Sequence, residues 1–372
     1  MLDRDLLFGL NEVEGIGWKT LYKICRAGKL SNDLFDFARE DWESLGVKEN
    51  LSIYLSSNFT EEWISKRYSL MKENGVKLLT IVDEEYPSLL KETAQPPWVI
   101  YYRGRLELIS RPSVGLVGTR VPTSYGRKVG SLLAEELSEA GLTVVSGLAR
   151  GIDSVCHEAA LTKQGGTIAV VATGLDKVYP PENRDLLRQI AQEGLVISEY
   201  PMGTKSHPGL FPQRNRIIAG ITLGTVVVEA DIRSGSLITT DAALEAGRDV
   251  FAVPGPITSP KSRGALELIR QGAKLVTCAR DILEEYTHYL PKIMPSREEN
   301  ASIQAGSQES GFEKKLTREE LHLYHILHQG PFTLDELLTR SRWDFGHLHS
   351  VLLSLIIKKA VTQLPGAIYK VI

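Results

Sequence analysis

Seven apolar runs, at 113–117, 142–146, 167–173, 195–198, 225–229, 250–253 and 274–277, recur through the middle of the chain. Segments of helical character such as GRKVGSLLAEELSEAG, DSVCHEAALTKQGG, NRDLLRQIAQEG, NRIIAGI and LITTDAALEAGR separate them. The runs are rich in Val and do not alternate apolar with polar residues, as a strand with one wet face would. Strands buried on both faces and joined by helices predict a mostly parallel, doubly wound α/β sheet of extended Rossmann-like type. In such sheets ligands bind beyond the carboxyl ends of the strands, where each strand hands the chain to a helix whose first N–H groups lack partners.

Those ends carry the unusual residues. Val117-Gly118-Thr119-Arg120 follows the first run and Ser146-Gly147-Leu148-Ala149-Arg150-Gly151-Ile152-Asp153 the second. A helix start holds an anion by its backbone, and an arginine beside it adds a planar, permanently charged fork. The alternative for Arg120 is a salt bridge on the rim. The pattern is not a dinucleotide fingerprint, because Val121 stands where the third glycine belongs and no acid ends the second strand. Asp153 and His157, four apart on one helix face, read either as an acid–base pair or as a helix cap bonded to its neighbour. Phe211-Pro212-Gln213-Arg214-Asn215-Arg216 sets an aromatic beside arginines, suiting a single strand whose bases stack while its phosphates meet guanidinium groups. Arg214 and Arg216 are about 200° apart on a regular helix, so both cannot face one groove. Ser234-Gly235-Ser236 forms a further anion nest. Glu229 reads as a general base, a ribose ligand or an internal partner. No nucleophile–base–orienter set, zinc motif, Walker loop or carboxylate cluster with metal spacing is present, which favours a binding protein without metal or cofactor over an enzyme.

The flanks differ in character. Residues 1–75 read as a helical domain, in which Leu10-x-x-Val13-x-Gly15-Ile16-Gly17-x-x-x-Thr20-Leu21 has helix-hairpin-helix spacing. That spacing serves either a DNA phosphate or merely a turn between packed helices. Residues 76–290 hold the sheet, preceded by two β-rich runs around 76–82 and 96–102 that read as extra strands before it. Residues 291–315, poor in aromatics and rich in Ser, Gln, Glu and Gly, predict a disordered linker. Residues 316–372 predict three helices and a two-stranded wing, a winged helix. The net charge of −3 confines any nucleic-acid site to a local patch. Three distant cysteines, a start charged from its third residue and no long apolar run predict a cytoplasmic protein with no membrane association.

The motifs together resemble the DNA-processing protein A family (DprA/Smf). They are VGTR at 117–120 with Thr123 and Tyr125-Gly126, SGLARGID at 146–153 with His157, GLD-x-x-YP at 174–180, SEYPMG at 198–203, FPQRNRIIAG at 211–220, VVVEA with SGSLITT at 226–240, and GRDVFAVPG at 247–255. The resemblance covers roughly residues 80–280. Gly264-Ala265-Leu266 departs from a Gly-Thr-Asn pattern at that place. It implies a protein that binds single-stranded DNA in a basic pocket, dimerises, protects incoming DNA and loads RecA recombinase during natural transformation. Arg120, Phe211, Arg214 and Asn215 are the foremost strand contacts by position, with Lys177 and Arg184 behind them. The winged helix would meet duplex DNA or a partner protein. Its charge is nearly balanced, with Arg318, Arg340, Arg342, Lys358, Lys359 and Lys370 against Glu319, Glu320, Asp335, Glu336 and Asp344. A competing reading is a Rossmann-class hydrolase of nucleoside monophosphates with Glu229 as its base.

Overall fold

The computed structural model describes residues 1–289 and, in the C-terminal part, 317–371 apart from 329, 342, 359 and 365–367. The linker expected at 291–315 lies outside the described residues. Two compact units result, Met1–Met294 and Pro295–Ile372.

In the first unit nine strands form one sheet in the order β1-β2-β6-β5-β4-β3-β7-β8-β9. They are β1 (Lys77–Thr80), β2 (Val99–Gly104), β3 (Ser113–Gly118), β4 (Thr143–Ser146), β5 (Thr167–Val170), β6 (Leu195–Ser198), β7 (Gly224–Glu229), β8 (Asp249–Ala252) and β9 (Lys274–Leu275). All seven strands from β3 to β9 pair in parallel, as the unalternating runs predict. β1 and β2 do not precede the sheet as a separate layer; they extend it, β2 running antiparallel to β6 and β1 to β2. The direction of winding reverses at β3, with β4 on one side and β7 on the other, so a crevice opens at the carboxyl ends of these strands.

Helices α1 (Asp3–Asn11), α2 (Trp18–Arg26), α3 (Arg39–Ser44), α4 (Glu49–Asn58) and α5 (Glu61–Glu73) make up the N-terminal part. Leu7, Phe8, Leu10 and Trp42 share one core with Val99, Tyr101, Ala169 and Val196 of the sheet. The expected boundary at 75 is therefore a change of element type and not of core. The Tyr101 hydroxyl donates to Glu12 and accepts from Asn11 Nδ2 at 3.1 Å, fixing the end of α1 to β2.

The remaining helices are α6 (Ser88–Lys91), α7 (Ser124–Glu139), α8 (Ile152–Ala160), α9 (Arg184–Glu193), α10 (Leu210–Ile221), α11 (Gly235–Glu245), α12 (Arg263–Arg270) and α13 (Arg280–Leu283). Leu133 and Leu137 of α7 and Ile152 and Cys156 of α8 pack on one sheet face against Val114, Val144 and Val226. Ile217, Ile218 and Ile221 of α10 pack on the other against Val117, Val145 and Val227. Each set repeats every three to four residues, the stripe that lets a helix bury one side.

The second unit has helices α14 (Arg318–His328), α15 (Leu334–Ser341) and α16 (Phe345–Ile357). Its three-stranded sheet runs β10-β12-β11, with β10 (Phe332–Thr333) added to the expected wing of β11 (Val361–Leu364) and β12 (Ile368–Val371). Leu323, Leu337, Leu348, Leu352 and Tyr369 form a core of its own. Buried Glu320 accepts from Lys358 Nζ at 2.6 Å and from the Ser354 hydroxyl at 2.6 Å, bolting α14 to α16. Among the described residues no helix is long and apolar enough to cross a membrane.

Candidate functional site

One helix start and one strand-end turn expected to cradle anions are already filled by the protein's own carboxylates. Glu229, buried at the end of β7, accepts from Thr123 N at 2.8 Å and from the Thr123 hydroxyl at 2.7 Å, at the start of α7. A Cβ added at Gly126 would lie 2.5 Å from Glu229 Oε2, so the carboxylate sits directly against that first turn. Glu229 is thus an internal partner, for a threonine and not for an arginine. One turn over, Asp153 Oδ2 accepts from Gly147 N at 3.1 Å and Ala149 N at 3.2 Å, occupying the turn after β4. Gly118 is small because a Cβ there would meet Ile152 at 2.6 Å. Gly151, at φ 83°, brings the chain within 2.4 Å of a would-be Cβ contact with Thr119 O. These glycines serve close packing of the two turns. Thr119 N likewise donates to Glu229 O at 2.7 Å.

What stays open is a groove of about 540 Å³ over the carboxyl ends of the strands. Arg120, Phe211, Arg214, Asn215, Tyr179 and Ser234–Ser236 line it, with Gly118 and Thr119 at its β3 side. A narrower recess continues it past Gly147, Arg150 and Thr173. Exposed Arg120 lays its guanidinium 5.4 Å from the centre of the Phe211 ring, and Tyr179 packs its ring 5.4 Å from that of Phe211. One permanent charge and two aromatic faces thus meet in one opening, the arrangement that stacks bases and neutralises phosphate. At the far wall the expected nest is largely taken from within, Ser234 N donating to Asp231 O at 2.9 Å and Ser236 N to the Ser234 hydroxyl at 3.4 Å, which leaves Gly235, with no heavy atom within 4 Å of where its Cβ would stand, as its open position.

Arg214 forms the floor. It is buried, donates through Nη1 to Val170 O at 2.6 Å, and presses on Gly147 so closely that a Cβ there would stand 1.8 Å from Nη1. Burial above all, with the Arg120 charge adding, draws its pKa down to about 10, while Asp153 holds it up; it remains a cation at neutral pH. Burial raises the pKa of Asp153, opposed by Arg214 and the two backbone N–H groups.

His157 does not pair with Asp153. Its Nδ1 lies 2.7 Å from the Thr167 hydroxyl, whose single hydrogen goes to Val144 O at 2.8 Å. Nδ1 must therefore carry the ring proton, and buried Nε2 is left without a partner. Burial, reinforced by Arg214, lowers the His157 pKa to about 3, against an unfolded value of 6.5. The fold holds the neutral ring, so its contribution to stability is intact above pH 6.5 and is lost as pH falls towards 3. This single residue is expected to make unfolding about 2 kcal/mol easier at pH 5 than at pH 7. Denaturant midpoints at both values, compared with His157→Gln, check this; an equal drop in the variant would place the loss elsewhere.

Several expected contacts are engaged otherwise. Ser146 is buried and its hydroxyl donates to Leu116 O at 2.6 Å, stitching β4 to β3. Arg150 reaches the recess but pairs with Glu182. Lys177 pairs with Asp176 at 3.0 Å. Arg184 stands exposed at the start of α9, outside the residues that line the groove. The regular α10 decides between Arg214 and Arg216: the latter turns to Glu199 and to Gln95 O. Tyr179 is the residue that reasoning on the site overlooked. Its signal was the Tyr-Pro pair following the third run, at a strand's carboxyl end.

The sequence model of the family described as DNA recombination-mediator protein A matches residues 77–287, and that of the DprA winged helix domain matches 311–367. Protein Smf of Synechocystis sp. is 35% identical over 387 residues, spanning 97% of this chain and 89% of the relative. DNA processing protein DprA of Bacillus subtilis is 44% identical over 215 residues, 58% of this chain and 72% of the relative. The X-ray structure of DNA processing protein A (DprA) from Streptococcus pneumoniae superposes with a TM-score of 0.67 at 36% identity, covering 77% of this chain and 98% of that one. DNA processing protein A from Helicobacter pylori, whose structure was solved for its unique single-stranded DNA binding mode, gives 0.53 at 30% identity over 57% of this chain and 96% of that one.

Proposed function

The chain belongs to the DNA recombination-mediator protein A (DprA/Smf) family, and from that premise we propose that it binds single-stranded DNA in the groove beyond β3, β5 and β7. The observation that carries this reading is Arg120 over the Phe211 ring, with Tyr179 beside it and the Ser234–Ser236 nest opposite. Bases stack on the two rings, phosphates meet Arg120 and the nest, and Arg214 supplies positive potential from below. The family relationship extends the proposal: the protein protects incoming DNA in the cytoplasm, acts as a homodimer and loads a RecA-type recombinase during natural transformation. The winged helix then contributes a contact to duplex DNA or to a partner protein.

The hydrolase reading fares worse on one particular. Its base would be Glu229, and both oxygens of that carboxylate are taken by Thr123. That engages the one base the hydrolase reading named, and it favours action by binding.

Titration of single- and double-stranded oligonucleotides over a series of salt concentrations tests this. Micromolar or tighter binding of the single strand is expected, with log affinity falling linearly against log salt. Absence of single-strand binding at low salt overturns the reading. Release of free base from nucleoside monophosphates would reinstate the hydrolase.

A further inference from the structure

A groove of about 940 Å³ adjoins the site, between the turn joining α1 to α2, helices α4 and α5, and the loop at 201–205 after β6. None of its lining residues belongs to the groove over β3, β5 and β7. The two cavities share a wall. Thr173 and Tyr179 line the strand site, and the Thr173 hydroxyl donates to Lys177 O at 3.3 Å within the same short loop. On its other flank that loop is fastened to the second groove: Gly203 N donates to Asp176 Oδ1 at 2.7 Å, and Gly174 N to Thr204 O at 3.0 Å. Gly203 and Thr204 line the second groove.

Its lining repeats the chemistry of the first. Arg67 holds its guanidinium 4.9 Å from the centre of the Trp63 ring. Exposed Tyr54 offers a second ring, and exposed Lys205 a second cation. Neither Arg67 nor Lys205 forms an ion pair or hydrogen bond among the described residues. Two acids stand nearby. Glu12 accepts from the Tyr101 hydroxyl; burial raises its pKa, while that hydrogen bond and the Arg67 charge lower it, so it opposes an anion beside Arg67. Glu14, exposed on the turn, opposes an anion.

We propose that this groove is a second contact for the same single strand, taking nucleotides that continue past Tyr179 across the 173–177 loop, with Trp63 and Tyr54 stacking bases and Arg67 and Lys205 meeting phosphates. The inference rests on the single-strand reading above. It makes the helix-hairpin-helix-like turn a wall of the groove, so the N-terminal helices enlarge the footprint of the sheet. Binding energy then depends on oligonucleotide length.

The test uses the full chain and oligothymidylates of about 6 nucleotides, within the span of one strand-binding module, and about 30, well beyond it. For Arg67→Ala/Lys205→Ala, unchanged affinity for the short oligonucleotide is expected, with about a tenfold loss for the long one and a log-salt slope shallower by about 1.4, two phosphates' worth. Glu14→Gln, which removes no cation, is expected to tighten the long complex two- to threefold, about what one nearby charge is worth at a wet surface. Unchanged binding of the long oligonucleotide by the double variant overturns the inference, as does an equal loss at both lengths. If the unmodified chain binds neither length, the parent reading falls first; if Arg120→Ala weakens both lengths while the double variant weakens neither, only the second groove falls.

Discussion

Arg120→Ala is expected to weaken single-strand binding by roughly 10- to 100-fold, the equivalent of about 1.5–3 kcal/mol, and to flatten the log-salt slope by about 0.7 for the phosphate released. The side chain is exposed and makes no ion pair among the described residues, so its removal leaves the fold intact and the change is read in binding alone. It loses two things at once, a phosphate partner and the cation that rides on Phe211. Phe211→Ala separates them. That variant is expected to lose a comparable affinity by stacking while keeping the salt slope, because no charge has gone. Fluorescence anisotropy at four or five salt concentrations distinguishes the two. Equal slopes in Arg120→Ala and the unmodified chain would mean that Arg120 meets no phosphate.

Gly147→Val is expected to cost both stability and binding, because the site's floor has no room for a side chain. A Cβ at 147 would stand 1.8 Å from Arg214 Nη1 and 2.4 Å from its Cζ. Arg214 cannot swing away cheaply, being buried and tied to Val170 O. Displacing it breaks that bond and moves a cation away from buried Asp153, whose carboxylate form it favours, a penalty of about 3 kcal/mol for a buried charged group that loses its partner. Loss of strand binding should accompany it, since the recess that Gly147 and Arg214 share would close. Gly235→Ala is the control for stability alone, since Gly235 lines the groove: no heavy atom lies within 4 Å of a Cβ there, and its backbone does not need a positive φ. Thermal unfolding of the pair, and oligonucleotide binding of Gly147→Val against the unmodified chain, check the account; a Gly147→Val protein as stable as Gly235→Ala would refute it.

The sheet was legible because buried parallel strands announce themselves: each apolar run from Ser113 onward became a strand, down to the two residues of β9. β1 and β2 were legible as strands but not as members of the sheet, since an antiparallel pairing with β6 joins residues nearly a hundred positions apart, Tyr101 with Ser198. The site was legible as a place and only partly as a set of contacts. Phe211 and Arg120 come together as their residue types suggested, yet the destinations of charged side chains depend on tertiary neighbours. Arg150 finds Glu182 32 residues away, and Arg216 finds Glu199 17 residues away. Neither separation matches a helical or strand period, so no local pattern encodes it. The same holds for Glu229, whose partner Thr123 is 106 residues distant. Helical geometry did settle one question in advance: Arg214 and Arg216 could not share a groove, and the straight run of α10 divides them.

The carboxylates of Glu229 and Asp153 bear on release as much as on affinity. A fold of this kind ordinarily grips a mononucleotide by seating its phosphate on a helix start, and a ligand so seated leaves slowly. Here the seats at Thr123 and Gly147 are occupied from within, and on the proposed reading contact with a chain of nucleotides falls to the Phe211 and Tyr179 rings, the Arg120 guanidinium and the open position at Gly235, each weak and each replaceable singly. A strand held by many small, independent contacts can be peeled off end first by a competitor without the whole complex ever having to let go at once.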